Sequence, residues 1–126
     1  MTTGKKTETR GPFCPLKHLN NIFGGKWKLP IVCILSSGEE PKRYSLIKRR
    51  LGDVTNAMLS QSLRELEAAG IVHREQFNEV PPRVEYSLTK KGRSALPFLT
   101  QAVNWAMEDM RTSSVEVFCD QCAAMT

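Results

Sequence analysis

Residues 55–69 carry side chains that can form hydrogen bonds with the edges of DNA bases. At 100° per residue, the leucines of this segment share one narrow face of a predicted helix. The opposite face collects small and amide side chains and one arginine, namely Asn56, Ala57, Ser60, Gln61 and Arg64. Asparagine and glutamine can bind adenine through two hydrogen bonds, and arginine can bind guanine in the same way. The pattern favours a helix that enters a DNA groove, and the alternative is a face that contacts only water.

The charge distribution supports a polyanionic partner. The chain has a formal net charge of +5 and a pI of about 9.2, which by themselves do not distinguish DNA from RNA or a membrane. Residues 41–64 hold a single acid, Asp53, and six basic residues, which are Lys42, Arg43, Lys48, Arg49, Arg50 and Arg64. A basic run is often a solvated helical face. Beside the predicted groove helix, we interpret this one as contacting phosphates.

A hairpin is predicted directly after the groove helix. Residues 71–77 and 84–88 are rich in strand-forming types, and the polar residues 78–83, which include two prolines, connect them. Arg83 follows these prolines at the predicted tip, and a stiffly presented arginine suits the negative potential of a narrow minor groove. The alternative is a turn arginine that contacts only water. A helix followed by a hairpin is the arrangement of a winged helix-turn-helix.

The elements before the groove helix are predicted from the apolar patterns of their own residues and from the positions of proline and glycine. Residues 15–23 predict a helix with Pro15 in its first turn, ended by Gly24 and Gly25. Residues 27–35 are apolar almost all round and predict the central buried helix. A short strand is predicted at residues 43–44, and Ser45 is predicted to cap a brief helix over residues 46–51.

Two threonines mark further helix starts. Residues 52–54 form the predicted turn of the helix-turn-helix, and Thr55 is the predicted N-cap of the groove helix. Thr89 is predicted to cap one long last helix that reaches residue 111, with a local bend at Pro97. Lys90 and Lys91 open that helix, where backbone N–H groups could also meet a phosphate.

These elements predict a mainly helical α+β fold: a winged helix-turn-helix with a two-stranded wing. We expect a disordered arm at residues 1–12, the winged-helix domain at 13–111 and a cysteine-containing tail at 112–126. The predicted DNA-binding residues are Arg43, Ser45, Lys48, Thr55, Asn56, Ser60, Gln61, Arg64, Arg83, Lys90 and Lys91.

The predicted last helix has an unusually broad apolar surface. One stripe contains Leu96, Leu99, Val103, Ala106 and Met110, and Phe98, Ala102 and Trp105 add a second. A second subunit would cover so broad a surface, and a wider core within the chain is the alternative. The dimer-interface residues predicted in this helix are Leu99, Val103, Trp105, Ala106 and Met110.

The chain has four cysteines, a residue type that can carry out redox chemistry or bind a metal. Cys33 lies in the predicted buried helix and is expected to be an apolar core residue. Cys14 stands at a helix start close to Lys17 and His18, which favour a reactive thiolate, although a structural cysteine fits equally well. Cys119 and Cys122 form a C-x-x-C pair, which suits a disulfide switch, half a zinc site or neither. Cys14, Cys119 and Cys122 are the redox candidates. With His18 they would suffice for one zinc, but nothing in the sequence brings the four together, so we predict neither metal nor cofactor.

Several functional classes receive no support. No apolar stretch approaches the ~20 residues of a membrane span, and the amino-terminal segment lacks the apolar core of a signal peptide, so we expect a cytoplasmic protein. Paired carboxylates, a Ser/His/Asp set and a glycine-rich phosphate loop are not evident, so we predict no enzyme. The alternatives to a DNA-binding regulator are a winged-helix protein-interaction module and, less favoured, a thiol-redox protein that uses Cys119 and Cys122.

The motifs together resemble those of the HxlR-type transcriptional regulators, which are winged-helix proteins related to the MarR type. The resemblance extends from Cys14 to Trp105 and is carried by Cys14 and Pro15, residues 24–27 and 29–31, residues 58–67, residues 70–72, residues 80–89, Gly92 and Trp105. Tyr44 departs from the phenylalanine that many members have after the arginine.

The resemblance implies a homodimeric bacterial repressor or activator that binds double-stranded operator DNA. It implies N- and C-terminal dimerisation helices, so that Leu16 and Leu19 of the first helix join the predicted dimer interface. It also implies that residues 56–64 and Arg83 meet the operator. It also implies a role for Cys14, because some members sense oxidants or electrophiles through a cysteine at this place. An oxidant or small-molecule effector is therefore compatible with the family, whose signals vary.

Overall fold

A computed structural model describes residues 14–113 of the 126-residue chain. Its elements in chain order are α1 (Pro15–Phe23), α2 (Lys28–Ser36), β1 (Lys42–Arg43), α3 (Tyr44–Leu51), α4 (Asn56–Ala68), β2 (Val72–Phe77), β3 (Arg83–Leu88), α5 (Lys90–Ser94) and α6 (Leu96–Thr112). The predicted arm at residues 1–12 lies outside the described residues. So does the tail from residue 114, with Cys119 and Cys122.

The three strands form one antiparallel sheet in the order β1-β3-β2. The hairpin of β2 and β3 is paired from Val72 opposite Leu88 to Phe77 opposite Arg83. β1 adds a third strand by pairing with Tyr86 and Glu85 of β3. The predicted two-stranded wing is therefore anchored by a strand that immediately precedes α3.

The core lies between α2, the inner face of α4 and the base of the sheet. Ile31 and Val32 of α2 are fully buried, as expected for the helix that is apolar almost all round. Leu59, Leu63 and Leu66 are buried from α4, so the predicted leucine face points inward. Burying an apolar side chain of this size contributes roughly 1.5–3 kcal/mol, which fixes the rotation of α4 about its axis.

Both predicted threonine caps are confirmed. The Thr55 hydroxyl accepts a hydrogen bond from the backbone N–H of Met58 at 3.1 Å, at the start of α4. The Thr89 hydroxyl accepts one from Gly92 N–H at 3.0 Å, at the start of α5. Gly52 ends α3 with a positive φ of 89°, which favours glycine because it lacks a Cβ atom. Gly52 and Thr55 thus bound the turn between α3 and α4.

The start of α3 differs from the prediction. The helix begins at Tyr44 rather than Leu46, its N-cap is Arg43, and no side chain caps it. The prediction that Ser45 is the cap was therefore wrong, as was the inclusion of Tyr44 in the strand. Arg43 is held in an extended conformation by its pairing with Glu85, so the chain enters the helix as soon as that pairing ends.

The predicted single last helix is two helices, α5 and α6, with Ala95 at the junction. Pro97 lies in the first turn of α6. Proline has no N–H and its ring clashes with the carbonyl four residues earlier, so it is tolerated at a helix start and breaks a continuous helix. None of the helices in residues 14–113 is long and apolar enough to cross a membrane.

Candidate nucleic-acid interface

The surface of α4 opposite the leucines is polar and open. Asn56, Gln61 and Arg64 are exposed and Ser60 is half-buried. We refer to these four residues as the polar face of α4. Its side chains offer amide and hydroxyl groups, each both donor and acceptor, and one guanidinium with donors only. The sequence predicted their common side correctly, because the buried leucines leave this rotation of the helix as the only one available.

Tyr44 contacts the polar face, although it is not among the site residues predicted from the sequence. Its hydroxyl lies 3.2 Å from both the backbone oxygen and Oδ1 of Asn56, and 3.3 Å from Oγ of Ser60. The phenol ring packs against the core. The sequence carried one signal for this contact: a partly buried tyrosine usually finds a hydrogen-bond partner for its hydroxyl. Two residues of the polar face are thus held by the first residue of α3.

Gln61 is held from the opposite direction. Its Nε2 donates to Glu65 Oε2 at 3.0 Å, and Glu65 Oε1 lies 2.8 Å from Nζ of Lys28 in α2. The hydrogen bond with Lys28, followed by the one from Gln61, lowers the pKa of the Glu65 carboxyl below its ordinary value. The two bonds order the Gln61 amide along the helix.

Arg83 does not project from the wing. Its Nη2 lies 2.9 Å from Glu79 Oε2, its Nη1 lies 3.5 Å from Glu85 Oε2, and its guanidinium lies over the Phe77 ring at 4.1 Å. The side chain is only 28% exposed. The sequence predicted a projecting arginine, and the two carboxylates and the aromatic ring on the same hairpin account for the difference.

A polar cleft of about 400 Å³ separates α4 from the wing. It is lined by Ser60, Leu63, Arg64, Glu67, Arg74 and Tyr86. Arg64 and Arg74 bring two guanidinium groups to the cleft from different elements, against one carboxylate. Arg74 is not among the DNA-binding residues predicted from the sequence, because strand alternation alone does not tell which side of a hairpin faces a helix.

The other predicted basic contacts are distributed around this surface. Lys48, Arg49 and Arg50 form the last turn of α3, with Lys48 half-buried and the two arginines exposed. Arg43, Ser45, Thr55, Lys90 and Lys91 are also exposed. The Nζ of Lys91 donates to the carbonyl oxygen of Ala69 at 2.8 Å, so part of its donor capacity serves the end of α4.

Lys42 differs from the other residues of the basic run. It is 6% exposed, and its Nζ donates to the carbonyl oxygen of Glu40 at 3.0 Å. Burial lowers its pKa from the ordinary value. Our interpretation of the whole run as phosphate-contacting was therefore wrong for Lys42, because β1 turns this side chain into the protein.

The predicted dimer residues divide into two groups. Leu99 is buried in the core of the chain itself, and Leu19 packs against that core. Leu16 and Trp105 are 73% and 72% exposed, and Val103, Ala106 and Met110 are half-buried. The beginning of the first apolar stripe of α6 therefore packs against its own chain. Phe98, Ala102 and Trp105 of the second stripe are exposed.

An apolar groove of about 350 Å³ lies between the first two helices and the start of α6. It is lined by Leu16, Leu19, Asn20, Phe23, Gly24, Gly25, Leu29 and Phe98. Leu29 and Phe98 are large apolar side chains that remain exposed at this groove. Trp105, further along α6, is another large apolar side chain that is exposed.

The two described cysteines have different surroundings. Cys14 is exposed at the N-cap of α1, and its carbonyl oxygen accepts a hydrogen bond from His18 N–H at 3.1 Å. Cys33 is half-buried within α2. Within residues 14–113, no three His, Cys, Asp or Glu side chains come together as a possible metal site.

Comparison with known proteins identifies the fold and the family. Residues 22–114 match the model of the HxlR-like helix-turn-helix family. A relative from Methanothermobacter thermautotrophicus, named as an uncharacterised HTH-type transcriptional regulator, is 46% identical over 92 residues, which are 73% of this chain and 69% of that protein. The crystal structure of the putative regulator ytcD is 38% identical with a TM-score of 0.74, covering 79% of this chain and 99% of that one.

Two structures of the redox regulator HypR are also similar. Its oxidised form is 42% identical with a TM-score of 0.70 and covers 75% of this chain and 96% of that one. Its reduced form is 42% identical with a TM-score of 0.71, covering 78% and 94%. The predicted winged-helix fold is confirmed, and the relatives are regulators rather than enzymes. The chain belongs to the HxlR-like helix-turn-helix family and is a transcriptional regulator of the HxlR and MarR type.

Proposed function

We propose that the protein binds a specific DNA operator as a homodimer, with α4 in the major groove, and that it acts in the cytoplasm. The observation that carries this proposal is the polar face of α4. Three of its four side chains are exposed, the first two turns of α4 contain no acid, and three buried leucines fix the rotation of the helix. A helix of this kind matches the width of the major groove, where each base pair presents a distinct pattern of donors and acceptors.

The polar face and its surroundings suggest a division of roles. Asn56, Ser60, Gln61 and Arg64 face base edges in this arrangement. Phosphates are contacted from the flanks, by Arg43, Ser45, Lys48, Thr55, Lys90 and Lys91. We place one further phosphate contact at Arg74, whose guanidinium lines the cleft beside α4. Arg83 can contact the minor groove only after its guanidinium has left the carboxylates of Glu79 and Glu85.

A homodimer is supported by the exposed apolar surface. Leu16 from α1 and Phe98 and Trp105 from α6 are large apolar side chains with high exposure. Contiguous apolar surface of this kind commonly marks a protein interface. Two copies joined there would carry two α4 helices, so the operator is expected to be a pseudo-palindrome with half-sites one helical turn, or a multiple of it, apart.

Redox or electrophile regulation through Cys14 is part of the same proposal. Cys14 is exposed on α1, next to the apolar surface proposed for the dimer. The similar protein HypR is a redox regulator with an oxidised and a reduced form. A modification on α1 would change how two subunits pack, and hence the spacing of their α4 helices. The candidates for the resolving thiol are Cys14 of a second subunit and the pair Cys119 and Cys122.

Selection from a randomised duplex DNA library tests the proposal. The dimer is expected to enrich one pseudo-palindromic motif, and its affinity for that motif should fall steeply as salt rises, because phosphate contacts release counterions. Enrichment of no motif, together with salt-independent association with proteins, would favour the interaction-module alternative instead.

A further inference from the structure

Tyr44 connects the sheet to the polar face of α4. It is the first residue of α3 and directly follows Arg43, whose backbone pairs with Glu85 of the wing. Its ring packs against the core. Its hydroxyl reaches Asn56 and Ser60, which lie 12 and 16 residues later in the chain. The backbone pairing of Arg43 and the packing of the ring therefore bring the hydroxyl beside these two side chains.

A phenol has a single proton to donate, which limits the hydrogen bonds that Tyr44 can form with Asn56 and Ser60. Tyrosine has one O–H proton, which Tyr44 can donate to either oxygen of Asn56, while a lone pair accepts from the Ser60 hydroxyl. When Oδ1 of Asn56 accepts this proton, the orientation of the amide is set. Its NH₂ group is then the part of the amide that is turned away from the Tyr44 hydroxyl and left to donate to another group.

We propose that Tyr44 is a positioning residue for base recognition, which orients the Asn56 amide and the Ser60 hydroxyl before DNA arrives. This inference rests on the proposed DNA-binding function. A pre-oriented NH₂ donor favours a base edge with an acceptor, such as N7 or O6 of guanine, N7 of adenine or O4 of thymine. Holding a side chain in its bound orientation avoids an entropy cost on binding, equivalent to about two- to tenfold in affinity.

The test compares wild type with Tyr44→Phe, which keeps the ring and removes only the hydroxyl. Both proteins are taken through selection from the same randomised duplex library. The variant should lose preference at one symmetry-related pair of positions and keep the rest of the motif. Its affinity for the wild-type motif should fall about two- to tenfold, with unchanged affinity for non-specific duplex.

A double-mutant cycle separates positioning from general stability. Asn56→Ala removes the group that Tyr44 orients, so Tyr44→Phe should have little further effect on specific affinity in that background. Lys48→Ala is the control, because Lys48 is a proposed phosphate contact, and its effect should add to that of Tyr44→Phe. Thermal melting of each variant accompanies the cycle.

Three results would overturn the inference. They are an unchanged motif for Tyr44→Phe, an equal loss of specific and non-specific binding with a lower melting temperature, and effects of Tyr44→Phe and Asn56→Ala that simply add. If the wild-type protein itself selects no motif, the proposed function fails first. A motif selected by the wild type and retained by the variant contradicts only the role of Tyr44.

Discussion

Nζ of Lys28 lies 2.8 Å from Oε1 of Glu65, so an ion pair joins the buried helix α2 to the outer side of α4. The same carboxylate accepts a hydrogen bond from Gln61, a residue of the polar face. One glutamate therefore contributes both to the attachment of α4 and to the orientation of a proposed base contact. The two effects can be measured separately, because one is a stability and the other a DNA affinity.

Glu65→Gln should make stability less dependent on pH in the acid range. The pKa of Glu65 is lowered from 4.5 in the folded protein, chiefly by Lys28, so the ionised carboxyl favours folding. This contribution is present in full above the unfolded pKa and is lost as the pH falls through the folded pKa. At pH 7 we expect a loss of at most about 1 kcal/mol, because the pair is partly exposed and screened.

Urea unfolding between pH 7 and pH 3 checks this expectation. Wild type and Glu65→Gln should differ near pH 7 and converge at the acid end. Glu67→Gln is the matched control, because Glu67 is another exposed glutamate of α4. A difference that stays constant over the whole pH range would contradict the role of the ion pair.

Arg74→Ala should weaken specific and non-specific DNA binding by similar factors. The proposed contact is with a backbone phosphate in the cleft, which carries no sequence information. The slope of log affinity against log salt should decrease by about 1. His73→Ala, at the next exposed position of β2, is the control and should leave the slope unchanged. An altered base preference in Arg74→Ala would assign it to base recognition instead.

Trp105→Glu should shift the protein from dimer to monomer. Trp105 is 72% exposed on the apolar side of α6, and a carboxylate buried there against a second subunit would lack a partner. Asn104→Glu adds the same charge at a neighbouring exposed position outside the apolar stripes and should remain dimeric. Sedimentation at micromolar concentration distinguishes the two. A wild-type protein that sediments as a monomer and still binds its operator with full affinity would exclude the homodimer.

Cys14 should react with mild peroxide or an electrophile faster than Cys33, because Cys14 is exposed and Cys33 is half-buried within α2. Mass-spectrometric mapping of the thiols, together with a gel shift on the selected motif, measures reaction and response in parallel. Oxidation should change the affinity of wild type for DNA and leave that of Cys14→Ser unchanged. If the two proteins respond alike, Cys14 has a structural role.

Local patterns in the sequence were sufficient for much of the fold. The leucine spacing determined the two faces of α4, and the threonines at positions 55 and 89 marked helix starts, because both signals act within one helical turn. The strand-forming residues likewise indicated the hairpin. Pro97 indicated a disturbance of the last helix, although not that it divides the helix in two.

The parts that the sequence did not predict depend on contacts between distant residues. Arg43 pairs with Glu85 of β3, so α3 begins at Tyr44, and the Tyr44 hydroxyl contacts Asn56 of α4. Arg83 was expected to project, but the position of Phe77 opposite it on the hairpin favours a folded-back side chain. Arg74 faces the cleft because of how β2 packs beside α4, which no local pattern records.

The central claim, that the polar face of α4 recognises base sequence, is tested most directly by comparing Arg64→Ala with Lys48→Ala. Binding free energies are measured for the selected motif and for the same motif with single mismatches. Arg64→Ala should reduce the discrimination between them by roughly 1–3 kcal/mol, because a bidentate contact with a base is lost. Lys48→Ala should weaken binding to all duplexes about equally. The account is contradicted if Lys48→Ala relaxes the sequence preference and Arg64→Ala leaves it intact.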